Sequence, residues 1–234
     1  MRLYADGVIC PPEDQEFLDY MGYSTISPKD VISFLEKREV GEEVEIWINS
    51  YGGDVWAAME IYNLLKDYPG KKTALITGLA ASAATIIMLG CDQVLATPGA
   101  QFMIHNANAS ADGDYHDMYT TAEQLKTAND ALQAVYVKET GISPEKIKSM
   151  MERTTWFSAK DAVEIGLIDK VNEQKDIRVA ASIMGKANKF DENIMNDYHF
   201  GISELKSAID HKKQEESDLQ MKKRRLEIEK EKFL

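Results

Sequence analysis

The chain has 234 residues, of which 44% are hydrophobic, and its formal net charge is −12 at pH 7. This length accommodates one large domain, or one domain with an appendage, and the hydrophobic content is ordinary for a globular core. No run of about 18 apolar residues is present, and the N-terminus lacks an apolar signal segment, so we expect a soluble cytoplasmic protein without a membrane partner. The acidic balance argues against nucleic acid as the main ligand, because phosphate binding needs basic patches.

The two cysteines, Cys10 and Cys91, do not indicate a disulfide or a metal site. Two thiols are too few for a zinc cluster, and a reducing compartment disfavours a bridge between them. No grouping of His, Cys, Asp or Glu along the sequence has metal-ligand spacing. We therefore expect no metal and no cofactor, and we interpret both cysteines as small buried hydrophobic residues.

Strands and helices alternate along the first 171 residues. Ser27, as an N-cap, and Pro28, at the first helical position, begin a helix. The alternating pattern of 44–48 predicts a strand that runs into a turn at 49–54. Further along the chain the pattern predicts a helix that ends near 69–70, strands at 72–77, 94–96 and 101–104, and helices at about 117–140, 144–151 and 156–166. This order is typical of βαβ units, so we predict an α/β domain over residues 1–171.

The composition changes after Val171. Residues 172–234 are interpreted as a linker and a charged helical tail, in which Leu205, Leu219 and Leu226 share one heptad position. The basic cluster 222–225 is followed at once by glutamates. A solvated helix face explains this cluster better than a nucleic-acid site does.

One polar hydroxyl, that of Ser82, lies inside the small and apolar run 78–90. The pattern predicts that Ser82 is in the first turn of a helix, where backbone N–H groups lack partners and the positive end of the helix dipole lies. Small neighbours let another backbone approach the hydroxyl closely, as a nucleophile beside an oxyanion hole requires. Considered alone, the segment fits a buried small-residue helix equally well.

Two further features follow predicted strands, at positions where the sites of α/β sheets gather. Gly52-Gly53 is free to adopt positive φ and to expose backbone N–H groups, with a plain tight turn as the alternative. If the two glycine-containing junctions are neighbours, the amides of Gly52 and Ala83 converge on one oxyanion. His105 follows another strand and is a candidate general base, with a satisfied edge histidine as the alternative.

Four segments resemble, in order and spacing, the Clp protease proteolytic subunit family: 48–53, 78–84, 103–105 and 157–169. The resemblance covers roughly residues 25–171 and is greatest to the Clp-like proteases of phage and prophage head-gene clusters, which mature capsids. It implies a crotonase-like fold, a superhelix of repeated strand–strand–helix units, followed here by the charged helical extension. It also implies Ser82 as nucleophile, His105 as base and the amides of Gly52 and Ala83 as the oxyanion hole. The long helix near 117–140 then corresponds to the handle that joins two rings.

The resemblance departs from the family at the third member of the triad. Thr154 stands where the cellular family has an aspartate, and a hydroxyl can orient a ring nitrogen but cannot stabilise imidazolium with a full charge. Three alternatives stay open: a Ser–His dyad assisted by Thr154, Glu152 supplying the carboxylate through a shifted register, or a weakened enzyme. The first two are favoured because Ser82 and His105 both lie in their motifs, and losing only the orienting residue leaves substantial catalysis.

These features favour a serine endopeptidase that works through an acyl-enzyme, with capsid or scaffold proteins as its substrates in head maturation. The alternatives are a housekeeping ATP-dependent degradation subunit served by a Clp-type ATPase, a crotonase-like acyl-CoA enzyme, and a non-catalytic assembly module. The favoured function predicts a homo-oligomeric ring, single or stacked, in the bacterial host cytoplasm or the procapsid.

Overall fold

The computed structural model describes residues 1–172, which form an eight-stranded sheet with helices packed on it. The strands are β1 (Arg2–Ile9), β2 (Thr25–Ile26), β3 (Val44–Gly53), β4 (Lys72–Ala81), β5 (Gln93–Ala96), β6 (Gln101–Ile104), β7 (Thr155–Ser158) and β8 (Lys170–Val171). The helices are α1 (Pro12–Tyr20), α2 (Pro28–Leu35), α3 (Val55–Asp67), α4 (Ala83–Leu89), α5 (Tyr115–Thr140), α6 (Pro144–Glu152) and α7 (Ala159–Glu164). The predicted α/β fold class is confirmed, whereas the predicted tail lies outside the described residues.

Strand β4 organises the sheet because it has three neighbours. The strand order is β2-β1-β3-β4-β5-β8, and every pair in it is parallel. The first half of β4, from Thr73 to Ile76, pairs with β5. Its second half, from Leu79 to Ala81, leaves β5 and pairs in parallel with β6, which is antiparallel to β7. The carboxyl ends of β3, β4 and β6 therefore lie together.

Helix α4 is buried around its whole circumference. It packs against α3, α5, β3, β4 and β6. This environment explains its composition, because a helix that is hydrophobic all round is stable only when every face is covered. The start of α4 is consequently held rigidly beside the carboxyl end of β4.

The predicted ends of two strands are wrong, because both strands are longer than the sequence pattern indicates. Strand β3 continues to Gly53 instead of turning at 49–54, since Gly52 and Gly53 pair with Val8 and Ile9 of β1. Strand β4 continues to Ala81, so that residues 78–81 are strand and not helix. In each case the backbone N–H and C=O groups of the added residues are paired with strands that are distant in the sequence.

Smaller differences lie at the two ends of the described chain. Strand β1, helix α1 and strand β2 fall in the first 26 residues, for which the sequence pattern predicted no element. The helix predicted over 156–166 begins later, at Ala159, because 155–158 pair with β6 as strand β7. The predicted helices near 117–140 and 144–151 are confirmed as α5 and α6.

Both cysteines are free and buried, as predicted. Desolvation by burial raises the pKa of Cys10 to about 12, with a smaller contribution from nearby carboxylates. Burial likewise raises the pKa of Cys91 to about 12. A thiol that stays protonated at neutral pH is a poor nucleophile, so neither cysteine competes with a serine for that role.

Candidate active site

Ser82 occupies the sharp turn between β4 and α4, and we refer to residues 81–83 as the elbow. The sequence pattern predicted Ser82 inside the first helical turn, but it is the N-cap, with φ 55° and ψ −128°. Residues other than glycine rarely adopt positive φ, and such strain persists only where the surroundings over-determine it. The Ser82 N–H donates to the Met103 carbonyl at 2.8 Å, which holds the elbow against β6. The Ser82 hydroxyl makes no capping hydrogen bond to the helix.

His105 lies beside this hydroxyl. The Ser82 Oγ and His105 Nε2 atoms are 2.7 Å apart, although the two residues are separated by 23 positions in the sequence. The parallel pairing of β4 with β6, in which Ala81 is opposite Met103, brings the end of β6 next to the elbow. This distance lies within the reach that proton transfer from a serine to a histidine requires.

The surroundings of His105 favour its neutral form. The residue is half-buried, and desolvation by burial lowers the pKa of its imidazole below the ordinary value. Burial has this effect because the charged imidazolium loses more hydration than the neutral ring does. A neutral imidazole can accept the Ser82 proton, so the pair suits general-base chemistry at neutral pH.

Thr154 directly precedes β7, and His105 directly follows β6. The antiparallel ladder of β6 and β7 ends at the pair Ile104 and Thr155, so His105 and Thr154 are the next residues of the two segments beyond it. The N–H groups of Asn106 and Thr154 both donate to the Met151 carbonyl, each at 3.2 Å, which ties the two chain segments together. Thr154 is exposed and adopts a φ of 50°.

The ring of His105 has one hydrogen-bond partner within residues 1–172, and that partner is Ser82. The structure thus places Thr154 just beyond the end of the ladder, and its hydroxyl makes no hydrogen bond to the ring. Glu152 ends α6 on the exposed surface, where its carboxylate lies 4.0 Å from the ammonium of Lys148. Within residues 1–172 the structure therefore shows a hydrogen-bonded pair of Ser82 and His105, and the role of either third-member candidate stays a prediction.

Gly52 touches the elbow through its backbone. A Cβ atom built on Gly52 would lie 2.8 Å from the Ala81 carbonyl oxygen, 2.8 Å from Ser82 Cβ and 3.0 Å from the Ala83 nitrogen. The structure thus brings the backbone of Gly52 against Ser82 and Ala83. The N–H of Gly52, however, donates to Ser50 Oγ at 3.0 Å. It must leave this acceptor before it can serve an oxyanion.

Sequence reasoning missed three residues beside the site, namely Ser50, Thr85 and Tyr136. Ser50 is buried, and its hydroxyl donates to the Gly7 carbonyl at 2.5 Å while it accepts the Gly52 N–H. Thr85 and Tyr136 are also buried and are hydrogen-bonded to each other. The available signal was a hydroxyl inside an otherwise apolar helix, because a buried hydroxyl needs a partner.

Neither a metal centre nor a membrane-spanning helix is found in the described part of the chain. No three side chains of His, Cys, Asp or Glu are grouped to hold a metal ion there. None of the helices within residues 1–172 is both long enough and apolar enough to cross a bilayer.

The chain is similar in sequence and in fold to known peptidases. The model of the Clp protease family matches residues 24–175, and the chain therefore belongs to this family, whose members are peptidases. The ATP-dependent Clp protease proteolytic subunit of Deinococcus radiodurans is 29% identical over 142 residues, which cover 60% of this chain and 70% of that protein. A ClpP1 mutant from Listeria monocytogenes has the same fold, with a TM-score of 0.60 at 22% identity over 75% of this chain and 92% of that chain.

Proposed function

We propose that this member of the Clp protease family is a serine endopeptidase, with Ser82 as nucleophile and His105 as general base. The observation that carries the proposal is the 2.7 Å contact between Ser82 Oγ and His105 Nε2. Ser82 Oγ attacks the peptide carbonyl while Nε2 takes its proton, and the proton then passes to the leaving amine. Water hydrolyses the resulting acyl-enzyme with His105 again as the base.

The amides of Ala83 and Gly52 complete the proposed mechanism as donors to the oxyanion. Two backbone donors aimed at the developing charge are a common solution for acyl transfer. Gly52 supports this role by its close approach to the elbow. Its N–H has to exchange Ser50 Oγ for the oxyanion when substrate binds.

For the orientation of His105 we propose a dyad assisted by Thr154. The ladder register supports Thr154, because one further pair beyond Ile104 and Thr155 would bring it opposite His105. Glu152 is the weaker candidate, since its carboxylate lies beside Lys148 on the exposed surface of α6. A neutral assistant implies a slower enzyme than one with a buried carboxylate.

The decisive test replaces the nucleophile. Ser82→Ala abolishes both hydrolysis of a fluorogenic peptide and labelling by a fluorophosphonate, since no other group in the elbow can form the acyl-enzyme. Ser149→Ala, on the partly exposed side of α6, is the matched control and keeps both activities. Undiminished cleavage by Ser82→Ala contradicts the assignment. A wild-type chain that assembles but never reacts with the probe favours the non-catalytic assembly module.

Two biological uses of the peptidase are compatible with family membership. Head maturation is supported by the resemblance to phage and prophage members, and it takes capsid or scaffold proteins as substrates. Deletion of 201–234 then leaves peptidase activity intact but prevents entry into procapsids, and entry of the shortened chain contradicts this use. The relative from Deinococcus radiodurans is an ATP-dependent Clp protease proteolytic subunit. The similarity to this relative favours the alternative that the present chain is a degradation subunit. That use predicts casein degradation that requires a Clp-type ATPase and ATP.

We further propose that the chain forms a homo-oligomeric ring. The first turns of α5 support this, because Tyr115 and Tyr119 are each 71% exposed. Large apolar side chains in such a position fit a surface that a second copy covers. Sedimentation velocity of the purified chain measures the assembly, and a stable monomer at micromolar concentration contradicts it.

A further inference from the structure

A buried chain of hydrogen bonds connects helix α5 with the elbow. Tyr136, on α5, and Thr85, on α4, are 2% and 0% exposed. The Tyr136 hydroxyl is hydrogen-bonded to Thr85 Oγ1. Thr85 Oγ1 in turn donates to the Ser82 carbonyl at 2.6 Å. Two side chains that are 51 residues apart thus reach the backbone of the proposed nucleophile.

The direction of both hydrogen bonds follows from the number of protons. A carbonyl oxygen only accepts, so the single hydroxyl proton of Thr85 is committed to the Ser82 carbonyl. Tyr136 must therefore donate to Thr85 Oγ1. Burial raises the pKa of Tyr136 well above its ordinary value, so the phenol keeps the proton that it donates.

The Ser82 carbonyl belongs to the peptide unit that carries the Ala83 N–H. This carbonyl accepts two hydrogen bonds from Thr85, one from its N–H at 2.9 Å and one from its hydroxyl at 2.6 Å. Because a peptide unit is planar and trans, its C=O and N–H point in opposite directions. Holding the carbonyl therefore sets the direction of the Ala83 N–H.

We infer that Thr85 and Tyr136 are positioning residues that aim the Ala83 amide at the oxyanion, an inference that rests on the proposed function. Threonines inside helices commonly bond to the preceding turn, and this alone would not mark a functional residue. Two features distinguish Thr85: it bonds the carbonyl of a residue with strained φ, and a second buried hydroxyl from another helix locks its rotamer. Strained sites need this kind of support.

The test compares hydroxyl deletions that keep shape. Tyr136→Phe and Thr85→Val each remove one link, whereas Thr85→Ser keeps the hydroxyl. The matched control is Tyr62→Phe, because the buried Tyr62 hydroxyl bonds Glu139 of α5 without touching the elbow. Hydrolysis of a fluorogenic peptide gives kcat and KM for the full chain, and a peptide boronate, which forms a tetrahedral adduct with the serine, probes the oxyanion site.

We expect Tyr136→Phe and Thr85→Val to lower kcat about tenfold, a smaller loss than removal of a whole oxyanion donor causes, with KM nearly unchanged. The affinity for the boronate falls by a similar factor, while the acidic limb of the kcat/KM profile stays in place because the dyad is intact. Thr85→Ser and Tyr62→Phe stay within about twofold of the wild type in kcat.

The inference is overturned if kcat of Thr85→Val and Tyr136→Phe stays at the wild-type level. It is also overturned if Tyr62→Phe loses as much as Tyr136→Phe, because the loss then reflects general packing of α5. If Tyr136→Phe does not fold, the kcat of Thr85→Val alone decides whether the inference holds. A wild-type chain without hydrolysis or fluorophosphonate labelling contradicts the proposed function itself, which separates the two failures.

Discussion

Two residues other than glycine adopt positive φ in the described chain, Ser82 at 55° and Thr154 at 50°. Ser82 is hydrogen-bonded to His105, and Thr154 lies just beyond the end of the ladder that β7 forms with β6. Their surroundings differ. Ser82 is held through its N–H by Met103 and through its carbonyl by Thr85, among buried elements. Thr154 is exposed, and its N–H donates to the Met151 carbonyl. The side of the site that carries the nucleophile is thus tightly built, whereas the side that would orient the base is loosely built.

This difference indicates which side chains of the proposed active site the fold holds in place before substrate binds. Sheet pairing and a buried helix position Ser82 and His105, the proposed nucleophile and base, and these two groups contribute most of the rate in a serine hydrolase. A third residue that orients the base increases the rate further, and the proposed dyad lacks a carboxylate in this role. Perturbations on the elbow side should therefore cost much, and changes on the Thr154 side should be tolerated or even favourable.

The largest expected effect on the elbow side comes from the base. His105→Ala lowers kcat by about a thousandfold, within the range that general-base catalysis contributes. The loss is measured with the fluorogenic peptide at a pH where the wild type is fully active. His116→Ala is the control, because His116 lies on the exposed start of α5. Equal activity of the two variants would place the base elsewhere.

The next largest effect tests how closely Gly52 must approach the elbow. Gly52→Ala adds a methyl group to a backbone with φ 105° and places it against Ser82 and Ala83. We expect the free energy of unfolding to fall by about 2–3 kcal/mol, together with most of the hydrolytic activity. Urea denaturation measures the first quantity and peptide hydrolysis the second.

Gly41→Ala separates backbone strain from the close approach. Gly41 also has positive φ, at 84°, but nothing lies within 4 Å of its added Cβ. This variant should lose only about 1 kcal/mol and keep its activity. A Gly52→Ala variant that behaves like Gly41→Ala would show that neither activity nor stability depends on the close contact of Gly52 with the elbow.

A smaller effect, and one of opposite sign, is expected on the loosely built side. Thr154→Asp introduces a carboxylate opposite His105, at a φ that aspartate tolerates better than a β-branched residue does. We expect kcat/KM to rise about tenfold, because the charge stabilises the imidazolium that forms during attack. Thr154→Asn, which has the same shape without the charge, should show no such rise. An unchanged rate in Thr154→Asp would contradict the assignment of this position to the third member.

The smallest effect is a pH dependence. Burial lowers the pKa of folded His105, so the acidic limb of kcat/KM should lie below the ordinary histidine value of about 6.5. The same shift affects stability: because the unfolded chain binds the proton more readily, His105 makes stability fall as pH drops from about 6.5 through the lower folded pKa. Thr154→Asp should move the limb to higher pH, since a carboxylate raises the histidine pKa. A limb above 6.5 in the wild type would contradict the buried, uncharged environment.

Much of the site was predictable from local pattern. Ser82 in a small-residue run after a strand, His105 just after another strand, and a glycine with positive φ at 166, just beyond the end of α7, are features of neighbouring residues, and all three are found in the structure. The α/β class likewise follows from the alternation of period-2 and period-3.6 patterns. The positions of Cys10 and Cys91 in the interior follow from composition alone.

Local sequence patterns predict which strands and helices follow one another and which glycine, serine and histidine residues lie between them, because hydrophobic period, glycine and capping residues act over a few positions. The exact ends of the strands depend on the tertiary structure. The residues 78–81 look helical in isolation, but pairing with β3 and β6 makes them strand and leaves Ser82 alone in a strained turn. Hydrogen bonds between strands that are distant in the sequence outweigh the local preference of alanine for a helix. The same long-range pairing placed Ser82 2.7 Å from His105 and brought Thr154 to the end of the ladder that β7 forms with β6.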